Sequence, residues 1–207
     1  AIFYGKEYEI ARQEEGLTGF SYKGEYYEIP VMGDYNVINA LPAIEIGKRA
    51  GISYENIKKG LMDYVPVGDR GKIITLNNGA KLIMDCYNAN PDSVMASIGA
   101  LVKTYKGAKI MLVLGDMEEL GEQEEALHRK VGEFIAGLPV HTLVTVGKKA
   151  RMIAESANNG TISINAFNSK EEAGDFLANN LNGETVALFK ASRAVRLEDV
   201  AEKLKGE

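Results

Sequence analysis

The 207-residue sequence contains one cysteine, no long apolar run and no excess of basic residues. Cys86 has no second cysteine with which to form an internal disulfide, which suits a reducing compartment. No segment approaches the ~18 apolar residues that a membrane-spanning helix requires, and no charged-then-apolar leader opens the chain. Lys+Arg 24 against Asp+Glu 29 gives a formal net charge of −5, which argues against nucleic-acid binding through a basic surface. We expect a soluble, cytoplasmic protein without a membrane span.

Several common catalytic motifs are also missing from the sequence. It contains no Gly-x-Ser-x-Gly nucleophile elbow, no Gly-x-Gly-x-x-Gly dinucleotide fingerprint and no Gly-x-x-x-x-Gly-Lys-Ser/Thr phosphate loop. Gly71-Lys72 cannot serve as a phosphate loop, because it lacks the upstream glycine. The two histidines, His128 and His141, lack the further ligands that a zinc site needs. We predict no metal site and no catalytic residue in this chain.

What is present is the composition of a globular protein, with 45% hydrophobic and 26% charged residues. The length fits one large domain or two small ones. Residues 1–32 alternate in short stretches and predict a β-hairpin. Two helices follow, over residues 36–50 and 54–64, and proline and glycine then break the pattern between residues 66 and 71. We place a domain boundary near Asp69.

Beyond that boundary, strand and helix patterns alternate to the end of the chain. Residues 110–114 form a continuous apolar run, which is typical of a strand buried on both faces. The alternation predicts an α/β fold with a Rossmann-like, mostly parallel sheet covered by helices on both faces. The predicted strands cover residues 72–76, 81–86, 110–114, 142–146, 162–167 and 185–189. The predicted helices cover residues 91–105, 123–135, 148–157, 170–179 and 197–205.

One predicted strand ends in a polar segment, residues 85–91, with the sequence Asp-Cys-Tyr-Asn-Ala-Asn-Pro. In open α/β sheets, ligands bind at the carboxyl ends of strands and at helix N-termini. A helix cap explains Asn90 and Pro91 without any ligand. It does not explain Asp85 and Asn88, which we therefore take as candidate ligand contacts.

Two further strand ends carry charges, and each has a structural interpretation as well. The acidic residues between 115 and 121 complement the dipole of the following helix. Residues 190–193, Lys-Ala-Ser-Arg, place two cations and a hydroxyl after a buried strand, which would suit a carboxylate or a phosphate. A solvated Lys/Arg pair would explain the same segment, so both interpretations stay open.

Residues 85–91 resemble the Asp-x-Tyr-Asn-Ala-Asn-Pro stretch of the Mur ligases, a family of bacterial cell-wall synthesis. Within the family this stretch is typical of the members that add a D-Ala-D-Ala dipeptide. Residues 33–41 resemble the family's Gly-x-His-Asn-x-x-Asn-Ala helix start, with Tyr35 in place of the usual histidine. Residues 67–70 resemble its Gly-Arg crossing between domains, and residues 190–193 its terminal Lys-Gly/Ala-Ser-Arg.

The resemblance implies a domain organisation. Residues 1–69 would be the β-hairpin and helical end of a central ATPase domain, and residues 70–207 a C-terminal ligase domain. The family's phosphate loop, magnesium ligands and sugar-anchoring domain have no counterpart here, so the chain resembles a C-terminal piece that is inactive alone. We further expect residues 1–69 to leave apolar side chains exposed.

The resemblance also implies substrates and site residues. With ATP and Mg²⁺, the intact enzyme would convert the terminal carboxylate of UDP-N-acetylmuramoyl-tripeptide into an acyl phosphate, which the amine of D-Ala-D-Ala attacks. No cofactor is expected to bind tightly to this chain alone. The implied nucleotide-binding residues are Asn36 and Asn39 at the adenine, with Arg70 and Asp85 at the ribose or phosphates. The implied substrate-binding residues are Asn88, Asn90, Lys190, Ser192 and Arg193.

Two alternatives to this function stay open. The chain could belong to another Mur-type ligase that adds a different amino acid or dipeptide. It could also be a stand-alone binding module without catalysis, which the missing phosphate loop would allow.

Overall fold

The computed structural model describes residues 7–68 and 70–205, so the predicted boundary residue, Asp69, lies outside the described residues. The chain divides into two compact units, one ending at Pro66 and the other beginning at Val67. Each unit has a hydrophobic core of its own. No helix within the described ranges is long and apolar enough to cross a lipid bilayer.

The first unit is a three-stranded antiparallel sheet packed against two helices. The predicted hairpin is present as β2 and β3, and its turn residues Lys23 and Gly24 both adopt positive φ, of 49° and 81°. Positive φ at both central residues gives a two-residue turn whose twist matches that of the two flanking strands. β1 is an addition that the sequence pattern did not indicate. The elements are β1 (Tyr8–Glu14), β2 (Leu17–Tyr22), β3 (Glu25–Ile29), α1 (Asp34–Arg49) and α2 (Tyr54–Met62).

The first unit leaves several large apolar side chains exposed, as expected from its sequence. Ile46 on α1 is 65% exposed, and Val65, after α2, is 79% exposed. Most of the exposed large hydrophobic residues in the described part of the chain belong to this unit, namely Tyr26, Ile38, Ile46, Ile52, Met62, Tyr64 and Val65. Large exposed apolar side chains in this number are typical of a protein surface that packs against further protein.

The second unit is a six-stranded sheet in the order β4-β5-β9-β6-β7-β8. Five strands run parallel, and β4 alone pairs antiparallel, with β5. The tight turn at residues 76–80 causes this reversal, because a parallel pair needs a crossover of a dozen or more residues. The strands are β4 (Arg70–Thr75), β5 (Lys81–Asp85), β6 (Lys109–Gly115), β7 (Thr142–Val146), β8 (Ser163–Phe167) and β9 (Thr185–Lys190).

Helices cover both faces of this sheet, as the strand and helix alternation predicts. α4 packs against both α3 and α5, whereas α6 packs against α7 and shares a core with alternate residues of the central strands. The helices are α3 (Pro91–Thr104), α4 (Glu124–Ala136), α5 (Ala150–Ala157), α6 (Lys170–Asn180) and α7 (Glu198–Leu204).

The last strand, β9, lies at the centre of the sheet between β5 and β6. All six of its residues are buried, consistent with neighbours on both edges and helices on both faces. Because β5, β9 and β6 are parallel, their carboxyl ends lie side by side, and the polar segments that follow them emerge at one edge.

Candidate functional site

A buried ion pair joins the ends of β5 and β9. Lys190, the last residue of β9, has a side chain only 2% exposed, and its Nζ lies 2.6 Å from Oδ2 of Asp85. The same Nζ donates a hydrogen bond to the carbonyl oxygen of Asn88 at 3.2 Å. The resemblance assigned Asp85 to the nucleotide and Lys190 to the substrate. The structure brings the two residues into direct contact with each other.

The segment after β5 is shaped by its own side chains. Asn88 accepts a hydrogen bond from the backbone N–H of Ala89 at 2.8 Å. Asn90 is the N-cap of α3, since its Oδ1 accepts from the N–H of Ser93 at 2.8 Å, and Ser93 Oγ accepts from the N–H of Asn90 in return. With Pro91 at the first helical position, this is the cap that the sequence pattern predicts.

Ser192 connects the segments that follow β5, β6 and β9. Its backbone N–H donates to the carbonyl of Asp116 at 3.1 Å, and its hydroxyl oxygen accepts from the N–H of Glu118 at 2.8 Å. The hydroxyl also lies 3.4 Å from the carbonyl of Ala89 and donates to it. Ser192 is 5% exposed, so its polar groups are occupied within the protein.

Arg193 differs from Lys190 and Ser192 in that its side chain is exposed. Its side chain is 65% exposed, and its Nη1 lies 3.0 Å from Oε1 of Glu198 on α7. Because Asp85 neutralises the buried Lys190, Arg193 is the accessible cation of the two. The predicted site therefore divides into a buried pair, Lys190 and Ser192, and three exposed residues, Asn88, Asn90 and Arg193.

The predicted nucleotide contacts of the second unit are Arg70 and Asp85, which face each other in register across β4 and β5. The guanidinium of Arg70 lies over the ring of Tyr87, 4.1 Å from its centroid, which is a cation–π geometry. Tyr87 is 43% exposed. Sequence reasoning did not assign a role to this tyrosine, although it lies within residues 85–91.

The predicted adenine contacts lie in the first unit. Asn36 and Asn39 are three residues apart on α1 and therefore share one side of the helix. Asn36 Nδ2 donates to the carbonyl of Met32 at 2.8 Å, and Asn39 is exposed. Tyr35, which replaces the usual histidine of the family, lies beside them in the first turn of the same helix.

The acidic segment after β6 has a structural role. Oδ1 of Asp116 accepts from the N–H of Ala150 at 2.7 Å, which caps the start of α5. Lys149 Nζ lies 2.5 Å from Oε2 of Glu118 and 2.6 Å from Oε2 of Glu124, and these hydrogen bonds raise the pKa of the Lys149 ammonium. The charges compensate one another, and Asp116 caps α5, whereas the sequence pattern predicts a complement to the dipole of the following helix, α4.

The two histidines also have structural roles. Nε2 of the buried His128 accepts from the N–H of Met117 at 3.1 Å, and its Nδ1 lies 2.8 Å from the carbonyl of Glu124. His141 Nδ1 accepts from the N–H of Ile110 at 3.2 Å. Across residues 7–68 and 70–205, no group of three or more potential ligands from His, Cys, Asp and Glu could hold a metal ion.

Comparison with known proteins gives consistent results. The family model "Mur ligase, glutamate ligase domain" matches residues 69–193. The chain is 36% identical over 201 residues to the UDP-N-acetylmuramoyl-tripeptide–D-alanyl-D-alanine ligase of Bacillus subtilis. This alignment covers 95% of the chain and 44% of that protein. A crystal structure of MurF from Acinetobacter baumannii superposes with a TM-score of 0.81 at 29% identity, over 95% of this chain and 44% of that one.

MurF from Thermotoga maritima, whose structure is a complex with ADP, superposes with a TM-score of 0.79 over 98% of this chain and 47% of that one. At 24% identity, that match supports the fold alone. The chain thus spans less than half the length of each of these three proteins.

Proposed function

The chain belongs to the Mur ligase family, and on that premise we propose that it forms part of an ATP-dependent amide ligase. The ligase would join D-Ala-D-Ala to UDP-N-acetylmuramoyl-tripeptide, as the name of the Bacillus subtilis relative indicates for that protein. The observation that carries the proposal is the contact of residues 85–91 with residues 190–193 at one edge of the sheet, through Lys190 and Asp85. Residues 85–91 are the most specific sequence match to the dipeptide-adding members, and residues 190–193 match the terminal motif of the family.

The proposal assigns residues 1–69 to the end of a central ATP-binding domain and residues 70–207 to the C-terminal ligase domain. The match of the family model to residues 69–193 supports the second assignment. The division into two compact units after Pro66 is consistent with a domain boundary in this region.

The proposed nucleotide contacts are Asn36 and Asn39 in the first unit, and Arg70 and Asp85 in the second unit. The side-chain amides of Asn36 and Asn39 offer a donor and an acceptor each, which suits the polar edge of adenine. The guanidinium of Arg70 suits the phosphates. The carboxylate of Asp85 repels phosphate and accepts hydrogen bonds only, so its ligand group would be a ribose hydroxyl.

D-Ala-D-Ala would be bound at the ends of β5 and β9, with Arg193 in direct contact and with Asn88, Asn90, Lys190 and Ser192 shaping the surface that the dipeptide meets. Arg193 supplies the accessible cation for the dipeptide carboxylate. The hydrogen bonds of Lys190 and Ser192 hold the backbone of residues 88 and 89 against the segment after β9. The dipeptide would then meet a rigid surface.

ATP supplies the γ-phosphoryl group that activates the peptide carboxylate. The contribution of this chain is to bind and orient the incoming dipeptide, so that its free amine is close to the activated carboxyl carbon. Since the described residues gather no cluster of metal ligands, we assign Mg²⁺ to no residue of this chain.

The test is a reconstituted ligase assay on the full-length protein that carries this chain. With ATP, Mg²⁺, UDP-N-acetylmuramoyl-tripeptide and D-Ala-D-Ala, we expect phosphate release that requires the dipeptide, and a product heavier by one dipeptide less water. Turnover with a single amino acid in place of the dipeptide would identify a different Mur-type ligase. Ligand binding without any phosphate release would identify a non-catalytic module.

A further inference from the structure

Ser97 is a buried polar residue on α3 that the sequence motifs do not include. It is 4% exposed, and its hydroxyl donates a hydrogen bond to Oδ2 of Asp85 at 2.7 Å. A serine in the middle of a helix commonly bonds back to the carbonyl four residues earlier in its own helix. Here the hydroxyl instead contacts the end of β5.

Ser97 and Lys190 donate to the same oxygen of Asp85. Lys190 Nζ lies 2.6 Å from Oδ2, the atom that also accepts from Ser97, and the Asp85 side chain is 14% exposed. The other oxygen, Oδ1, has no hydrogen-bond partner among the described residues. A carboxylate held by a lysine alone could offer either oxygen to that lysine, because its two oxygens are equivalent.

The second donor removes this freedom. Ser97 belongs to α3 and Lys190 to β9, so the two hydrogen bonds reach Asp85 from different elements. Both must be satisfied at once, which fixes the rotation of the carboxylate and leaves Oδ1 available. We propose that Ser97 is a positioning residue for nucleotide binding, which acts through Asp85 by presenting Oδ1 to a hydroxyl of the ribose.

This inference rests on the proposed function, in which Asp85 contacts the nucleotide. It goes beyond that function because it predicts which nucleotides a Ser97 substitution affects. Binding should weaken only for nucleotides that carry the ribose hydroxyl bound by Asp85. ATP, 2′-deoxy-ATP and 3′-deoxy-ATP differ only in the ribose hydroxyls. Loss of a contact to one hydroxyl should therefore weaken binding of ATP and leave binding of the analogue without that hydroxyl unchanged.

The test measures KM and kcat of the full-length ligase for these three nucleotides. The variants are Ser97→Ala, Ser97→Cys, which keeps the size but is a weak donor, and Ser97→Thr, which keeps the hydroxyl. Thr104→Val is the matched control, because Thr104 lies on the same helix and its buried Oγ1 has no hydrogen-bond partner in the part of the chain that the structure describes. Thermal unfolding of each variant shows which of them are folded.

We expect Ser97→Ala and Ser97→Cys to raise KM for ATP by about three- to tenfold, the scale of one hydrogen bond. The KM for one deoxy analogue and the kcat values should stay unchanged, and Ser97→Thr and Thr104→Val should behave as the unaltered enzyme. If Ser97→Ala does not fold, Ser97→Cys decides.

Two results would overturn the inference and leave the ligase function standing. One is an equal rise of KM for ATP and for both analogues, or no rise at all, in the folded variants. The other is an unaltered enzyme that shows the same KM for all three nucleotides. An unaltered protein without ligase activity would instead refute the proposed function, and the inference with it.

Discussion

At the residue scale, Lys190 and Arg193 show how two cations of one motif acquire different roles. Lys190 ends a central strand, is buried and contacts the carboxylate of Asp85. Arg193 follows three residues later, outside the strand, and is 65% exposed. A buried cation must be paired, because moving an isolated ion from water into the protein interior costs on the order of several kcal/mol. Lys190 is therefore committed to the protein, and Arg193 remains accessible to a ligand.

Arg193→Ala tests this division in the full-length ligase. Removal of one charge-assisted contact costs about 1.5–3 kcal/mol, so KM for D-Ala-D-Ala should rise roughly 10- to 150-fold. The KM for ATP should change little, because the proposed nucleotide contacts lie on other residues. Arg196→Ala is the matched control, since Arg196 is 66% exposed and pairs with Asp199. A defect of Arg193→Ala in ATP binding alone would contradict the assignment.

At the element scale, α4 and α5 are in close contact because one position between them is a glycine. A Cβ on Gly132 would lie 2.4 Å from the carbonyl oxygen of Ile153 and 2.7 Å from Cβ of Ser156. Gly99 on α3 has no atom within 4 Å of the corresponding position. The same substitution should therefore have opposite effects in the two helices.

Gly132→Ala should lower the free energy of unfolding of the chain by about 1–3 kcal/mol, because the added methyl overpacks the contact between α4 and α5. Gly99→Ala should raise it by about 0.5–1 kcal/mol, because alanine loses less backbone entropy in a helix. Urea denaturation followed by circular dichroism measures both changes. Equal signs for the two variants would refute this account of the packing.

The hairpin of the first unit is attached to α1 by two ion pairs. Nζ of Lys23, in the turn, lies 2.8 Å from Oε1 of Glu45, and Nζ of Lys48 contacts Oε2 of Glu25 on β3. The hydrogen bond from Lys23 lowers the pKa of the Glu45 carboxyl, and the hydrogen bond from Lys48 does the same for Glu25. These depressed values make the attachment of the hairpin dependent on pH.

A depressed carboxyl pKa stabilises the folded state above the ordinary glutamate pKa of about 4.3, and this stabilisation is lost as pH falls through the folded pKa. Denaturant unfolding should therefore show a decline in stability below about pH 4.5. Glu45→Gln should make that decline shallower, because one of the two titrating groups is gone. Glu9→Gln, which removes an exposed carboxylate of β1, is the control and should leave the slope unchanged.

At the scale of the whole molecule, the chain consists of two units whose surfaces differ. The second unit buries both faces of its sheet under helices, whereas the first leaves apolar residues such as Ile38 and Ile46 on α1 exposed. The chain spans less than half the length of the Bacillus subtilis ligase. We propose that phosphoryl transfer requires a longer protein that carries this chain.

The isolated 207-residue chain should release no phosphate from ATP above a buffer blank. Its sequence has no phosphate loop, and its described residues hold no cluster of metal ligands, and γ-phosphoryl transfer depends on such groups. A phosphate-release assay with ATP and Mg²⁺ measures this directly. Clear turnover by the purified chain would refute the prediction.

The candidate site could be predicted in part. The residues at the strand ends were identified because polar groups after a buried strand stand out in the sequence, and Asn90 was predicted as a helix cap because its partner Ser93 is only three residues away. Ser97 and Tyr87 were missed. Sequence position alone does not indicate which residue the side chain of a helical serine, or of a tyrosine after a strand, contacts.

The sequence by itself determined the local structure of this protein: the hairpin at Lys23 and Gly24, the helix starts, and the alternation of strands and helices. Only the tertiary structure decided the strand order, with β9 between β5 and β6. It also decided the contact of Lys190 with Asp85, 105 residues apart. The reason is physical: turns, caps and periodicity depend on neighbours in the chain, whereas the choice of a strand's partner depends on which apolar faces can be buried together.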